Sequence, residues 1–99
     1  MSIASRFDSG ILYISVNGRF DFAVHHEFLE AIKLLQNDIK STEIDLSGTS
    51  YLDSSALGML LMLHDKLSAA KLSIQLINPP VDVRRILEIA NFDKLFTLN

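Results

Sequence analysis

One segment, residues 45–58, constrains the fold of this 99-residue chain more than any other. It connects a short β-prone run at residues 43–46 to residues 56–63, which are all apolar apart from Gly58. Where a helix starts, it presents unpaired backbone N–H groups and the positive end of its dipole. Such a junction can cap the helix, hold an anion or carry a phosphoryl group whose charge acts on a partner. An aspartate and two serines lie at this junction: Asp53, Ser54 and Ser55.

Length and composition indicate one globular domain spanning residues 1–99. With 48% hydrophobic and 21% charged residues, the chain can bury a proper core. The net charge of −3 and the isoelectric point near 5.4 argue against nucleic-acid binding, because no cluster of Lys and Arg is present to displace counterions from phosphates. The absence of cysteine excludes disulfides and thiolate metal sites and fits a cytoplasmic protein.

Neither a signal peptide nor a membrane-spanning segment is expected from the sequence. Residues 1–8 lack the apolar core of a signal peptide. The longest apolar run, residues 56–63, is far shorter than the roughly 20 residues that span a bilayer. We therefore expect a soluble, cytoplasmic domain without membrane insertion.

The first half of the chain has the pattern of two strands and a helix. Residues 3–8 and 11–17 are β-prone, and the Ser9-Gly10 pair between them predicts a tight turn and an antiparallel hairpin, after which Gly18 ends the second strand. Asp21 precedes the helix as its expected N-cap. Apolar residues then recur at helical spacing over about three turns: Val24, Phe28, Leu29, Ile32 and Leu35.

The second half alternates strands with helices. Residues 43–46 form a strand, residues 54–70 a helix and residues 72–77 another strand. Asn78-Pro79-Pro80 ends that strand and opens a third helix, which Asn91 would end in a left-handed conformation. Because a full helix joins the strands at 43–46 and 72–77, these strands should be parallel with a right-handed crossover. The apolar face of the third helix consists of Val83, Ile86, Leu87 and Ala90.

The element order β-β-α-β-α-β-α with a short tail predicts an α/β domain, in which a small mixed sheet of four to five strands carries three to four helices. Apolar residues of the second half of the chain should supply much of the core. The residues that we expect to be mostly buried are Leu46, Leu57, Leu60, Leu61, Leu72, Ile74, Leu76, Ile86 and Leu87.

Each polar residue at the junction has a structural interpretation beside a functional one. Ser54 and Ser55 are good helix caps, yet either hydroxyl could accept a phosphoryl group. Asp53 could favour the helix dipole or orient the acceptor hydroxyl. Asp21 is foremost a helix cap, with recognition by a kinase as its second interpretation.

Met59 and Met62 lie three residues apart on one face of the helix at residues 54–70. They could belong to the core, although four leucines of the same helix already provide an inward face: Leu57, Leu60, Leu61 and Leu63. A flexible methionine pair beside the serines is also suited to an adaptable docking surface. Both interpretations stay open at this point.

The sequence predicts neither a metal site nor catalysis. His25, His26 and His64 lack the spacing of metal ligands. His64 lies ten residues beyond Ser54, about 15 Å along one helix, so the two cannot form a nucleophile–base pair. No phosphate-cradling glycine loop or nucleophile elbow occurs. We expect a chain that is no enzyme, needs no cofactor and is instead the substrate of an enzyme.

The chain resembles STAS domains over nearly its whole length. The segment at 45–47 followed by Leu52-Asp53-Ser54-Ser55 is similar to the third strand and phosphorylation loop of that family. The turn after the second strand of the family is similar to Gly18-Arg19-Phe20-Asp21. The entry into the third helix of the family is similar to Asn78-Pro79 followed by residues 83–87. In the family, the serine directly after the aspartate is modified, which corresponds to Ser54, with Ser55 as the second choice. Ala56 stands where many members have glycine, a change that a helix tolerates.

This resemblance implies a stand-alone antagonist of anti-sigma factors, a phosphoprotein that acts in signal transduction and transcription regulation. Unmodified, it would bind a serine protein kinase/anti-sigma factor or an analogous target; phosphorylation of Ser54 would release it, and a PPM-type phosphatase would reset it. The residues that we expect to bind the partner are Asp21, Asp53, Ser55, Met59 and Met62. The alternative is an unswitched STAS interaction subunit of an ABC-type transporter or a stressosome-like scaffold, in which the serines only cap the helix.

Overall fold

A tight hairpin begins the chain in the computed structural model, which describes residues 2–33, 39–69 and 72–99. Ser9 and Gly10 have φ angles of 54° and 84°, which is the conformation of a two-residue type I′ turn. Glycine adopts it without strain, and the twist of this turn matches that of the two strands. The predicted antiparallel hairpin is confirmed, with Asp8 opposite Ile11 beside the turn and Ile3 opposite Val16 at the far end.

The described residues form seven strands and three helices. In order they are β1 (Ile3–Asp8), β2 (Ile11–Val16), β3 (Gly18–Phe20), α1 (His25–Ile32), β4 (Ser41–Asp45), β5 (Thr49–Leu52), α2 (Ser54–Ala69), β6 (Ser73–Ile77), α3 (Val81–Ile89) and β7 (Thr97–Leu98). Short 3₁₀ turns at Phe22–Val24 and Phe92–Lys94 precede α1 and β7. Leu35 and Ala70, which the sequence assigns to helices, lie outside the described residues.

The main sheet has the strand order β1-β2-β4-β6-β7. β1 is antiparallel to β2, whereas β2, β4, β6 and β7 run parallel to their neighbours. The prediction of a mixed sheet with a parallel pair across the second helix is therefore confirmed. β7 makes the fifth strand from the short tail: Asn91, at φ 63°, ends α3 in the expected left-handed conformation, and the chain returns to pair beside β6.

A second, two-stranded sheet pairs β3 with β5 in parallel. The sequence pattern predicts no strand at either position, because runs of three and four residues are too short to show a period of two. Gly18 does not end β2; at φ 85° it begins β3, and its N–H donates to the Gly48 carbonyl at 2.9 Å. This small sheet brings the chain before α1 next to the chain before α2.

One hydrophobic core holds the helices against a single face of the main sheet. Alternate residues of the central strands face it, among them Leu12, Ile14, Ile44 and Leu76. The helices contribute residues one turn apart, which are Phe28, Ala31 and Ile32 of α1; Ala56, Met59, Leu60, Leu63 and Leu67 of α2; and Val83 and Leu87 of α3. Polar side chains such as Glu43 and Gln75 alternate with them on the opposite face of the sheet.

Most of the residues expected in the core are there. Five are buried, namely Leu46, Leu60, Ile74, Leu76 and Leu87, and Leu57, Leu72 and Ile86 pack half-buried against them. The prediction for Leu61 is wrong, since this side chain is 38% exposed. The buried positions of α2 follow the helical period from Ala56, and Leu61 lies on the other side of that helix.

Candidate functional site

The small β3–β5 sheet determines the shape of the candidate site. Arg19 lies opposite Tyr51 and Phe20 opposite Leu52, and the Asp53 N–H reaches the Phe20 carbonyl at 3.4 Å. Parallel strands point in the same direction, so the residues that follow them leave the sheet side by side. The loop that begins with Asp21 therefore lies beside the start of α2, although the two segments are far apart in sequence.

Asp53 is the residue that caps α2. Its Oδ1 atom accepts a hydrogen bond from the backbone N–H of Ala56 at 3.1 Å, and its carbonyl accepts the N–H of Leu57 at 3.1 Å. A side-chain oxygen that binds the third N–H of a helix is the usual N-cap arrangement. The structural interpretation that the serines cap the helix is thus replaced by an aspartate cap, with Ser54 and Ser55 as the first two helical residues.

The Asp53 carboxylate is held in its ionised form by these donors. The hydroxyl of Ser55 donates to Oδ1 at 2.6 Å, and this contact is the main reason why the pKa of Asp53 lies below its ordinary value of 3.8. The N–H of Ala56 lowers the pKa further. A hydrogen bond to an ionised acceptor is short and strong, so Asp53 and Ser55 form a fixed pair. Asp53 thus orients the hydroxyl of Ser55 rather than that of Ser54.

Ser54 has the opposite character. It is an exposed residue at the first position of α2, and none of the hydrogen bonds among the described residues uses its hydroxyl. Ser55, one residue later, is half-buried. The two serines, which are equivalent neighbours in the sequence, therefore differ in access: only Ser54 offers a hydroxyl that is exposed and not used in the cap.

Asp21 stands at the other side of the site and caps the 3₁₀ turn that leads into α1, as expected. Its Oδ1 atom accepts the N–H of Ala23 at 3.0 Å, while Oδ2 accepts Arg19 Nε at 3.1 Å. The Arg19 guanidinium also lies over the Tyr51 ring, with Cζ 4.4 Å from the ring centroid. Sequence reasoning missed Arg19 and Tyr51, because their contact depends on the β3–β5 pairing.

Met59 is not part of the docking surface that was one of the two interpretations of the methionine pair. Met59 is only 3% exposed and belongs to the core, and Met62 is half-buried and packs against it. The assignment of Met59 to partner binding is therefore corrected. The exposed apolar side chains nearest to Ser54 in sequence are Tyr51, on the strand before α2, and Leu61, on the outer side of that helix.

His64 lies on α2 ten residues beyond Ser54, away from the start of the helix. His64 packs edge-on against Phe96 and shares a 3.3 Å contact with Ser68 near the far end of α2. Within residues 2–33, 39–69 and 72–99, no group of three or more His, Asp or Glu side chains is placed to hold a metal ion. The same part of the chain contains no helix with the length and apolar character that crossing a membrane requires.

Among solved structures, the fold is similar to that of anti-sigma factor antagonists. SpoIIAA in its unphosphorylated form superposes with a TM-score of 0.81 at 20% identity, over 98% of this chain and 87% of that chain. The phosphorylated form of SpoIIAA from Bacillus gives 0.71 at 18% identity, over 98% and 90%. An anti-sigma factor antagonist from Mycobacterium paratuberculosis gives 0.79 at 24% identity, over 97% and 82%.

Sequence comparison extends this likeness from the fold to the family. The STAS domain family model matches residues 2–99. A STAS-domain containing protein of Pseudomonas aeruginosa (strain UCBPP-PA14) is 41% identical over 92 residues, which cover 93% of this chain and 91% of that protein. These two matches show that the chain belongs to the STAS domain family.

Proposed function

We propose that this protein is a phosphorylation-controlled partner switch of the anti-sigma-factor antagonist type. Without phosphate it binds a serine protein kinase/anti-sigma factor, or an analogous target, through the surface around Asp21, Asp53 and Ser54. Phosphate on Ser54 ends that binding, and a PPM-type phosphatase restores it. The protein acts in the cytoplasm, where it is the substrate of these enzymes and carries out no catalysis itself.

The main observation that supports this proposal is that Ser54 is exposed and takes no part in capping α2. Its hydroxyl is exposed, while the capping of α2 is done by Asp53 and supported by Ser55. In an unswitched interaction subunit, the serines would serve as helix caps. Asp53 already provides that cap, so capping does not explain why a serine stands at position 54. Modification of its hydroxyl is the better interpretation.

The chemistry needs only a group that can be phosphorylated. The Ser54 oxygen attacks the γ-phosphorus of ATP; the new O–P bond forms as the bond to ADP breaks, and a base of the kinase takes the hydroxyl proton. Water reverses the change in the phosphatase, releasing inorganic phosphate. The phosphorylated and unphosphorylated forms of SpoIIAA both have a fold similar to that of this chain. This similarity supports the expectation that the fold tolerates such a modification.

The proposed switch acts through charge. A phosphoryl group adds about −1.5 to −2 charges at neutral pH, next to a site that already carries the Asp21 and Asp53 carboxylates. Inside the free protein, solvent screens much of this repulsion. A partner that covers the site must instead remove the phosphate from water or place its own charges against it, and both oppose binding.

The test is to locate the phosphate on the protein from its own cells and after incubation with ATP and the candidate kinase of the same genome. Trypsin releases residues 41–66 as one peptide, so fragment spectra must separate Ser54 from Ser55. We expect phosphate on Ser54, its loss in Ser54→Ala and its persistence in Ser55→Ala. Absence of phosphate in both preparations, or phosphate on another residue, would contradict the proposal.

A further inference from the structure

Arg19 is the only lysine or arginine in residues 18–24 and 49–57, the two segments that form the site. The other side chains there with a full charge at neutral pH are Asp21 and Asp53, so the site is acidic before any modification. His25, which follows these segments, stacks on Phe22 with 5.0 Å between ring centroids. Arg19 is therefore the one permanently cationic side chain in these two segments, beside the positive end of the α2 dipole.

The position of the guanidinium relates it to Ser54. Arg19 and Tyr51 are register partners in adjacent strands, about 4.8 Å apart across the sheet. From there the guanidinium lies over the Tyr51 ring and bonds to Asp21, two residues further along the chain. Its bond to Asp21 places the guanidinium at the end of β3, and β5 runs parallel to β3 and leads into Asp53 and the first helical residue, Ser54.

Arg19 is also free to change its partner. Its side chain is 64% exposed, and its bond to Asp21 uses only Nε, whereas the Asp21 cap depends on a different carboxylate oxygen. Breaking the ion pair would leave the bond from the Ala23 N–H in place. The Tyr51 ring would continue to support the flat face of the guanidinium.

We infer that Arg19 is the internal counter-charge of a phosphoryl group on Ser54, moving from Asp21 to the phosphate when the serine is modified. This inference rests on the proposed function, because it assumes phosphorylation at Ser54. A phosphate dianion competes well with a carboxylate for a guanidinium, whose fork of N–H donors fits phosphate oxygens in pairs. Without Arg19, all the fully charged side chains of these two segments would be acidic.

Arg84 and Arg6 have different surroundings from Arg19. α3 packs against β5, and its Arg84 is paired with Glu88 at 3.4 Å. Arg6 offers a close match to Arg19, since it lies over Tyr13 at 4.0 Å and pairs with Asp8, two residues further along, at 3.8 Å. Arg6 is on β1, at the edge of the main sheet and away from β3 and β5. It repeats the contacts of Arg19 with a tyrosine and an aspartate, in a different sheet from the one that leads to Ser54.

The experiment uses full-length protein with phosphoserine inserted at position 54 during translation, so that no kinase is needed. The second pKa of the phosphate, ordinarily near 6, is measured by phosphorus NMR in the Arg19 protein and in Arg19→Gln, Arg19→Lys and Arg6→Gln. Removing a cation at contact distance disfavours the dianion, so Arg19→Gln should raise this pKa by about 0.5 or more. Arg19→Lys should restore most of the difference, and Arg6→Gln should change it little.

A second measurement needs no variant. The Nε–H signal of Arg19 should move when phosphoserine replaces Ser54, while that of Arg6 should stay in place. An unchanged phosphate pKa in Arg19→Gln, an equal change in Arg6→Gln or an unmoved Arg19 signal would overturn the inference. Because the phosphate is installed directly, such a result would not contradict the proposed switch. Conversely, failure of the kinase to modify Ser54 would contradict the switch but not the contact between Arg19 and the phosphate.

Discussion

Ser55 donates its hydroxyl hydrogen to the Asp53 carboxylate across 2.6 Å, and this single contact makes two adjacent serines unequal. The hydroxyl of Ser55 is committed to the helix cap, whereas that of Ser54 is exposed at the first position of α2. A kinase that meets this surface therefore finds one hydroxyl available and the other held by a neighbouring charge.

The first prediction concerns partner binding. Ser54→Ala should bind the target constitutively, and Ser54→Asp should bind it poorly, because a charge at this position must be desolvated at the interface. Disrupting one such contact commonly costs a few kcal/mol, which corresponds to roughly ten- to several-hundred-fold in affinity. Calorimetric titration of the partner with each variant measures this difference.

Ser55→Ala is the matched control for that experiment, since it removes a hydroxyl one residue away that serves the cap. It should bind nearly as the unmodified protein does, and NMR spectra of all three variants should show the same fold. If Ser54→Asp and the phosphorylated protein both bind as tightly as the unmodified protein, charge is not the mechanism.

The second prediction concerns acid stability. The pKa of Asp53 is lower in the folded protein than its ordinary value of 3.8, chiefly because of the Ser55 hydroxyl. Its contribution to stability is therefore fully present above about pH 3.8 and is lost as the pH falls through the lower, folded-state pKa. Ser55→Ala should raise the pKa of Asp53 in the folded protein toward 3.8. The free energy of unfolding of this variant should therefore change less as the pH falls into the acid range.

Denaturant unfolding between about pH 6 and pH 2, with NMR titration of the Asp53 carboxyl carbon, tests this linkage. Glu30 provides an internal reference: its pKa is lowered by Lys33, with which it forms a 3.0 Å hydrogen bond, and it should titrate identically in Ser55→Ala. A carboxyl carbon of Asp53 that titrates at the same pH in both proteins would refute the assigned cause.

The third prediction separates the two sides of α2. Met59→Ala should lower the free energy of unfolding by about 2–5 kcal/mol, because it leaves a cavity at a position that is only 3% exposed. Leu61→Ala, at a position that is 38% exposed, should cost less than about 1 kcal/mol. Urea unfolding of the two variants gives the comparison, and equal losses would show that the two residues are not on opposite sides of the helix.

The fourth prediction uses two buried threonines with different surroundings. The Thr49 hydroxyl donates to the Val16 carbonyl at 2.8 Å, whereas the Thr42 hydroxyl has no partner among the described residues. Thr42→Val should raise the free energy of unfolding by about 1 kcal/mol, since it replaces an unsatisfied polar atom by a methyl group. Thr49→Val should lower it by a similar amount.

These two variants make the same chemical change, so differences in size and β-propensity cancel in the comparison. Equilibrium unfolding in denaturant measures both. A Thr42→Val protein that is less stable than the parent would mean that the Thr42 hydroxyl is satisfied in solution.

Much of the local structure was predictable because its causes lie within a few residues of one another. Ser9 and Gly10 have the φ angles of a two-residue turn, and Asn91 ends α3 in a left-handed conformation. Asp21 caps the 3₁₀ turn at Phe22–Val24. Hydrogen bonds and dihedral preferences of this range appear in the sequence as short patterns. The α/β order followed in the same way from runs of β-prone and helical residues.

The sequence by itself therefore determined the order of the three helices and of β1, β2, β4 and β6, the parallel pair across α2 and the place of the candidate site at the start of that helix. The tertiary structure alone decided that Met59 rather than Leu61 faces the core, because residues 56–63 are apolar almost all round and carry no period that selects a face. It also decided that Arg19 meets Tyr51 and that Asp21 lies beside Asp53. These contacts arise from pairing two very short strands across a long separation in sequence, and such pairing depends on how the whole chain packs.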